Sequence, residues 1–100
     1  MDDEIAALVP RYLNSRREES RQLPKLLSGG DFASIRRIAH NLKGTGASYG
    51  FPGLTALGQA MQMSAESSDT DALVRQIHEL ADSLEKMSGQ YQHRYKPIGW

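Results

Sequence analysis

Residues 71–95 read DALVRQIHELADSLEKMSGQYQHRY, and the spacing of their apolar positions decides the fold class. Steps of four and three residues separate these positions: Leu73, Ile77, Leu80, Leu84, Met87 and Tyr91. This spacing places one apolar stripe along an α-helix, as in the helices of a bundle. Asp69 or Asp71 can cap the helix by accepting hydrogen bonds from its free N–H groups. A long amphipathic helix is therefore predicted for residues 71–95.

Two further stripes with helical spacing precede it. The first follows a capping Asp31 and comprises Ile35, Ile38, Ala39, Leu42, Gly46 and Tyr49. The second lies between Phe51 and Ala65, where Pro52 suits the first helical turn, and comprises Leu54, Leu57, Gly58 and Met61. Short breaks at residues 28–31, 49–53 and 66–71 separate the segments. No stretch alternates apolar and polar residues as a β-strand does.

The N-terminal segment is less regular. Apolar residues recur at helical spacing on both sides of residues 14–22, which contain no apolar side chain: Ile5, Leu8, Val9 and Tyr12 before them, and Leu23, Leu26 and Leu27 after them. Pro10 and Pro24 fall inside the pattern, and a proline inside a helix costs about 3 kcal/mol. We expect a helix that begins or kinks near Pro10 and bends or ends near Pro24.

Four helices with short connections favour an all-α fold, an antiparallel up-down four-helix bundle whose N-terminal helical segment could be short or kinked. We expect the bundle to span residues 1–95 and to be followed by a tail, residues 96–100, that contains Trp100. Met1 and the single-domain layout favour a free-standing protein or an N-terminal domain.

The composition excludes several classes of function. The chain has 100 residues, 39% of them hydrophobic, and equal numbers of acidic and basic residues. It therefore has no overall charge to attract nucleic acid, and no apolar run long enough to insert into a membrane. It contains no cysteine, which excludes thiolate metal sites. Because the N-terminus lacks the features of a signal peptide, we expect a cytoplasmic protein. Because the predicted surface shows no large apolar patch, we expect a monomer.

Residues 35–50, IRRIAHNLKGTGASYG, contain the candidate site. On a helical wheel, His40 lies about 140° from the centre of the apolar stripe and Gly44 about 180°. Arg36, Lys43 and Ala47 lie nearby, at about 100°, 80° and 120°. An imidazole therefore faces solvent between two cations and beside two small residues. Glycine inside a helix costs about 1 kcal/mol relative to alanine, so the exposed Gly44 indicates that something outside the domain needs space there.

The other glycines of this region have structural explanations. Gly46 and Gly58 lie on apolar stripes and predict close contact between helices, and Gly50 suits a helix C-terminal stop. A nucleotide-binding glycine loop follows a strand and opens a helix, whereas these glycines close one. His40, His78 and His93 are too far apart in sequence to predict a metal site, and a serine-hydrolase elbow is absent from the sequence.

An exposed imidazole beside a lysine suits phosphoryl transfer. Neutral histidine is nucleophilic near neutral pH, and a cation one turn away can hold the anionic oxygens of a phosphoryl group. Small neighbouring residues leave room for a partner to bring an acceptor and a metal ion in line. Since the chain has no nucleotide motif, the phosphoryl group would come from one protein and go to another.

Residues 40–51, HNLKGTGASYGF, followed by Leu54, Leu57 and Gly58, resemble the signature of histidine-containing phosphotransfer (HPt) domains of bacterial two-component phosphorelays, roughly H-x-L-K-G-x-x-x-x-x-G. The four-helix layout extends the resemblance to nearly the whole chain. The resemblance implies that His40 is phosphorylated and that Lys43 stabilises the phosphoryl group. It implies the same role for Gln62, at the position of a polar residue on the family's third helix.

The resemblance also implies partners. His40's helix and the next one would form a docking face for receiver domains, with these contributors: Arg36, Arg37, Gly44, Ala47 and Gln59. The partners would be response-regulator receiver domains and a sensor histidine kinase or hybrid sensor histidine kinase, with Mg²⁺ in the receiver and no cofactor or metal bound by this chain. The chain would be a carrier and not a kinase. Two alternatives stay open, a helical adaptor that docks receiver-like domains without carrying phosphoryl, and a bundle with an unrelated role.

Overall fold

The computed structural model describes the backbone of residues 3–95 and the side chains of residues 7–90. Its four helices are α1 (Asp3–Ser28), α2 (Phe32–Thr45), α3 (Pro52–Glu66) and α4 (Thr70–Tyr95), and a short 3₁₀ turn (Ala47–Tyr49) joins α2 to α3. Within residues 3–95 the structure contains no strand. The prediction of an all-α four-helix bundle is confirmed. The predicted tail, residues 96–100, and the side chains of Ile5 and Tyr91 lie outside the described part.

The helices surround a single core. Within the described range the backbone of α1 lies close to α4 and α2, and that of α3 lies close to α2 and α4, whereas the diagonal pairs α1/α3 and α2/α4 have no such close backbone approach. The predicted stripes supply all but one of the largest fully buried side chains: Val9, Leu23, Ile35, Leu42, Leu54, Met61, Leu73, Leu80 and Leu84. The exception is Leu13, which the predicted stripe of α1 omits, whereas Leu8 of that stripe is 49% exposed. Burying each such side chain contributes about 1.5–3 kcal/mol, so the amphipathic stripes hold the bundle together.

Helix α1 runs through both of its prolines. It neither begins at Pro10 nor ends at Pro24, and it extends over 26 residues. Both prolines are exposed, so neither ring takes up space in the core. Their neighbours Val9 and Leu23 are completely buried, and this packing against the core offsets the cost of each proline.

The polar middle of α1 is tied to α4 by an ion pair. The Arg17 guanidinium reaches Glu85 of α4, with Nε and Nη2 at 3.0 and 2.9 Å from Oε1. Ser20 is buried in the same stretch. Residues 14–22 thus lie within a continuous α1 although they have no apolar side chains.

Capping side chains and backbone conformation mark the ends of the helices. Asp31 caps α2 by accepting from the Ser34 N–H at 3.1 Å, and Asp69, not Asp71, caps α4 by accepting from the Ala72 N–H at 3.1 Å. Gly50, at φ 93°, ends the 3₁₀ turn in the left-handed conformation that glycine adopts without strain. No helix of the described residues is long and apolar enough to cross a membrane.

Candidate functional site

His40 lies on the exposed side of α2. Its neighbours Ala39 and Leu42 are buried, whereas the imidazole is exposed, as the helical wheel predicts. The Nδ1 atom lies 3.3 Å from Gln62 Oε1 on α3. An amide oxygen can only accept, so Nδ1–H donates in this contact. In the neutral ring with this tautomer, the Nε2 lone pair is not used by the contact.

Two glycines allow α2 and α3 to approach closely. A Cβ atom on Gly58 would lie only 2.5 Å from the Lys43 backbone nitrogen and 2.8 Å from the Ala39 carbonyl oxygen. A Cβ atom on Gly46 would lie 2.7 Å from the Thr55 backbone nitrogen. The prediction that both glycines serve helix packing is confirmed. Gln62 follows Gly58 by one turn of α3, so the same close approach brings its amide to the imidazole.

Gly44 has open space around it. A Cβ atom there would meet nothing within 4 Å apart from its own helix, and its φ is not positive. Neither internal packing nor backbone conformation therefore requires a glycine. The prediction that Gly44 gains nothing from the interior is confirmed, and the space lies one turn after His40.

The charges on α2 are all positive. Arg36 and Arg37 are exposed and Lys43 is half-buried, while the sequence of α2 contains no acidic residue. Arg37 Nη2 donates weakly to Ser34 Oγ at 3.4 Å. Although the chain as a whole is neutral, the helix that bears His40 presents a basic face, which suits an anionic partner.

The remaining predicted docking residues lie on two different elements. Gln59 is exposed on α3, three residues before Gln62. Ala47 is exposed, but it belongs to the 3₁₀ turn. The helical wheel extended α2 through Tyr49, and that extension is wrong because α2 ends at Thr45. Ala47 therefore does not sit on the face of α2 where the wheel placed it.

A tyrosine stack between α1 and the 3₁₀ turn was not predicted from the sequence. The rings of Tyr12 and Tyr49 are parallel, with centroids 4.1 Å apart. The Tyr12 hydroxyl donates to Thr45 Oγ1 at 2.8 Å, since Thr45 Oγ1 itself donates to the Asn41 carbonyl at 2.8 Å. Burial raises the pKa of Tyr12. An open groove of about 320 Å³ lies beside the stack, with the half-exposed Leu8 at its edge.

The stack had no sequence signal of its own. Tyr12 and Tyr49 each match an apolar stripe, so periodicity assigns both to the core. Their pairing depends on how α1 is placed along α2, which a single sequence does not specify.

In the described part of the chain, no group of three or more His, Asp or Glu side chains could hold a metal ion.

Comparison with protein families decides the assignment. The family model described as Hpt domain matches residues 7–90, most of the chain. This chain belongs to the Hpt domain family. The resemblance seen in residues 40–51 is thereby confirmed, and so is the fold that it implies. Neither the curated proteins nor the solved structures contain a match to the chain.

Membership places the chain in a functional class. Hpt domains are phosphocarriers in the phosphorelays of signal transduction and are not kinases. The matched range includes α2 and α3 in full, and therefore His40, Gln62 and the open surface at Gly44.

Proposed function

We propose that this Hpt domain accepts a phosphoryl group on His40 from the aspartate of one receiver domain and passes it to the aspartate of another. The observation that carries the proposal is the setting of His40. Its imidazole is exposed, its Nδ1–H faces Gln62 Oε1 at 3.3 Å, and the surface one turn away is kept open by Gly44.

The groups of His40, Gln62 and the receiver account for every bond, proton and charge in the transfer. The Nε2 lone pair of His40 attacks the phosphorus of the receiver's aspartyl phosphate, an N–P bond forms, and the P–O bond to the aspartate breaks. The aspartate leaves as a carboxylate with the electron pair. The phosphorylated ring keeps its Nδ1 proton and becomes cationic, and the Gln62 oxygen stabilises that charge by accepting the hydrogen bond. Transfer to the second receiver reverses these steps.

Lys43 and the partner supply the positive charges that stabilise the phosphoryl oxygens. The Lys43 ammonium, on the turn that follows His40, offsets the negative charge of the phosphoryl oxygens. Mg²⁺ held by the receiver does the same from the opposite side. This chain supplies no metal and no cofactor, so its contribution is a positioned nucleophile, one cation and one hydrogen-bond acceptor.

The docking face covers α2, the start of the turn that follows it and the adjacent edge of α3. Arg36 and Arg37 attract the acidic receiver site, and the partner's main chain approaches over Gly44, with Ala47 and Gln59 at the edges of the contact. A sensor histidine kinase, alone or as a hybrid with its own receiver, supplies the phosphoryl group at the start of the relay. With these partners the chain acts in the cytoplasm, as a monomer.

Labelling tests the proposal. The protein is incubated with several phosphorylated receiver domains and Mg²⁺, beside a His40→Gln variant and a His78→Gln variant, in which an exposed histidine of α4 is replaced. We expect acid-labile, base-stable label on the wild type and on His78→Gln, and none on His40→Gln. Label that persists on His40→Gln would overturn the assignment of His40. If the wild type binds receivers but takes no label from any of them, the chain is an adaptor.

The ring nitrogen is tested by NMR. The phosphorylated protein, labelled with ¹⁵N at its histidines, should show the phosphorus coupled to Nε2, with the proton on Nδ1. Phosphorylation at Nδ1 would contradict the role of Gln62, because the Gln62 oxygen faces that nitrogen at 3.3 Å.

A further inference from the structure

The hydroxyl of Thr55 is inserted into the last turn of α2. In a continuing α-helix the Ala47 N–H would donate to the carbonyl four residues earlier, that of Lys43. Instead the Ala47 N–H donates to Thr55 Oγ1 at 2.8 Å, and Thr55 Oγ1 donates to the Lys43 carbonyl at 3.0 Å. One side chain of α3 thus satisfies both groups, ends α2 and connects its last turn to α3.

The packing of α2 on α3 is built around this hydroxyl. A Cβ atom on Gly46 would lie 2.9 Å from Thr55 Oγ1, so glycine is needed for the hydroxyl to enter. On the other side of Lys43, Gly58 contacts the backbone nitrogen so closely that a Cβ atom there would lie 2.5 Å from it. Thr55 and Gly58 are one turn apart on α3. The Lys43 backbone is therefore held at its nitrogen by Gly58 and at its carbonyl by Thr55.

We propose that Thr55 is a positioning residue for phosphoryl transfer, acting through Lys43. The inference rests on the proposed function of His40 and Lys43. The last turn of a helix frays when its carbonyls have no partner. The Thr55 hydroxyl prevents this at Lys43 and keeps the lysine side chain directed at the phosphoryl group on His40, three residues earlier. Misplacement of a group by about 1 Å can slow a reaction as much as 100-fold.

The test compares variants with and without the hydroxyl. Thr55→Val removes it and keeps the shape, and Thr55→Ser keeps it. Thr70→Val makes the same change at an exposed position at the start of α4. Each variant is mixed with a saturating phosphorylated receiver, and the rate of transfer to His40 is followed by rapid quench. We expect Thr55→Val to slow transfer on the order of tenfold, with Thr55→Ser and Thr70→Val close to the wild type.

The same substitution in a protein that carries Lys43→Ala distinguishes a positioning role of Thr55 from a merely structural one. If Thr55 acts through Lys43, then Thr55→Val should slow transfer no further once Lys43→Ala is present. Equal slowing in both backgrounds would overturn the proposal, as would a Thr55→Val rate equal to that of the wild type. Thr55→Ala removes the same hydroxyl with less bulk, and it replaces Thr55→Val in both comparisons if circular dichroism shows that the valine variant has lost helix.

The outcomes distinguish this inference from the proposed function. A wild type that takes no label refutes the role of His40 itself. A labelled wild type whose transfer rate does not respond to the loss of the hydroxyl leaves His40 in place and refutes only the positioning role of Thr55.

Discussion

Alanine substitutions at Gly44 and Gly58 should change the free energy of unfolding in opposite directions. Both glycines belong to the two helices of the candidate site, and alanine has the better helix propensity by about 1 kcal/mol. At Gly44 a Cβ atom meets nothing within 4 Å. Gly44→Ala should therefore raise the free energy of unfolding, by up to about 1 kcal/mol because the position is near the end of α2.

At Gly58 an added Cβ atom would collide with the backbone of α2. It would lie 2.5, 2.8 and 2.9 Å from the Lys43 nitrogen, the Ala39 carbonyl oxygen and the Lys43 Cα. Backbone atoms inside a helix cannot rotate away, so α2 and α3 must separate by roughly 1 Å to restore ordinary contact near 3.5 Å. Such overpacking costs about 1–3 kcal/mol. Gly58→Ala should therefore lower the free energy of unfolding in spite of its better helix propensity.

Urea unfolding followed by far-ultraviolet circular dichroism measures both changes. The slope of the free energy against urea should be the same for the three proteins, so that a shift in midpoint reports stability alone. A destabilised Gly44→Ala would refute the conclusion that the interior does not need this glycine. A Gly58→Ala variant that gains as much stability as Gly44→Ala would refute the close packing of α2 on α3.

A larger side chain at Gly44 separates stability from function. Gly44→Leu should fold with nearly wild-type stability, because the added atoms enter solvent. Its transfer rate from a phosphorylated receiver should fall on the order of tenfold or more, because the side chain blocks the approach of the partner. Unhindered transfer by a well-folded Gly44→Leu would exclude a docking role for this surface.

Three further predictions concern neighbouring groups. Lys43→Ala should slow transfer roughly tenfold without abolishing it, since one cation of several is lost, and a rate equal to the wild type in the quench assay would remove Lys43 from the mechanism. The Ser34 hydrogen bonds lower the pKa of Asp31, so its ionised cap stabilises the fold above the unfolded pKa of about 3.9 and is lost as the pH falls through the lower folded pKa. Asp31→Asn keeps a capping oxygen at every pH, so its melting temperature should fall less than that of the wild type between pH 6 and pH 2. Equal falls in melting temperature for the two proteins would contradict this. Tyr12→Phe should lower the free energy of unfolding by about 1 kcal/mol, because the ring stack stays while the hydrogen bond to Thr45 is lost, and no change in the urea midpoint would show that the bond contributes nothing.

Features that depend on neighbours in the chain could be predicted from the sequence. Helical periodicity identified the buried faces, because residues three and four apart share a side of a helix whatever the helix packs against. Asp31, Pro52 and Gly50 mark helix ends through their own side chains or backbone freedom. Gly44 could be placed on the surface for the same reason, and His40 with it. The motif around His40 is compact, so the family could be named before any contact was known.

Contacts between helices were decided only by the tertiary structure. The sequence left Asp69 and Asp71 as equal candidates for the cap of α4. It also allowed α1 to begin near Pro10 or to end near Pro24, whereas α1 runs through both prolines. Periodicity carried α2 on to Tyr49, whereas α2 ends at Thr45, where a hydroxyl from another helix takes the place of the next helical hydrogen bond. Thr55 has no pattern that marks it, because the pattern of α3 records only which side faces the core.

The distance between His40 and Gln62 was also decided by the packing of the helices. The two residues are 22 positions apart, and the resemblance to the family suggested that they meet. Gly46 and Gly58 set how closely α2 approaches α3 and at which register, and the contact follows from that register. The sequence by itself determined that a nucleophilic imidazole lies on an exposed basic helix, because helical geometry is local. Only the tertiary structure decided what touches it, because a contact between helices depends on the packing of every side chain between them.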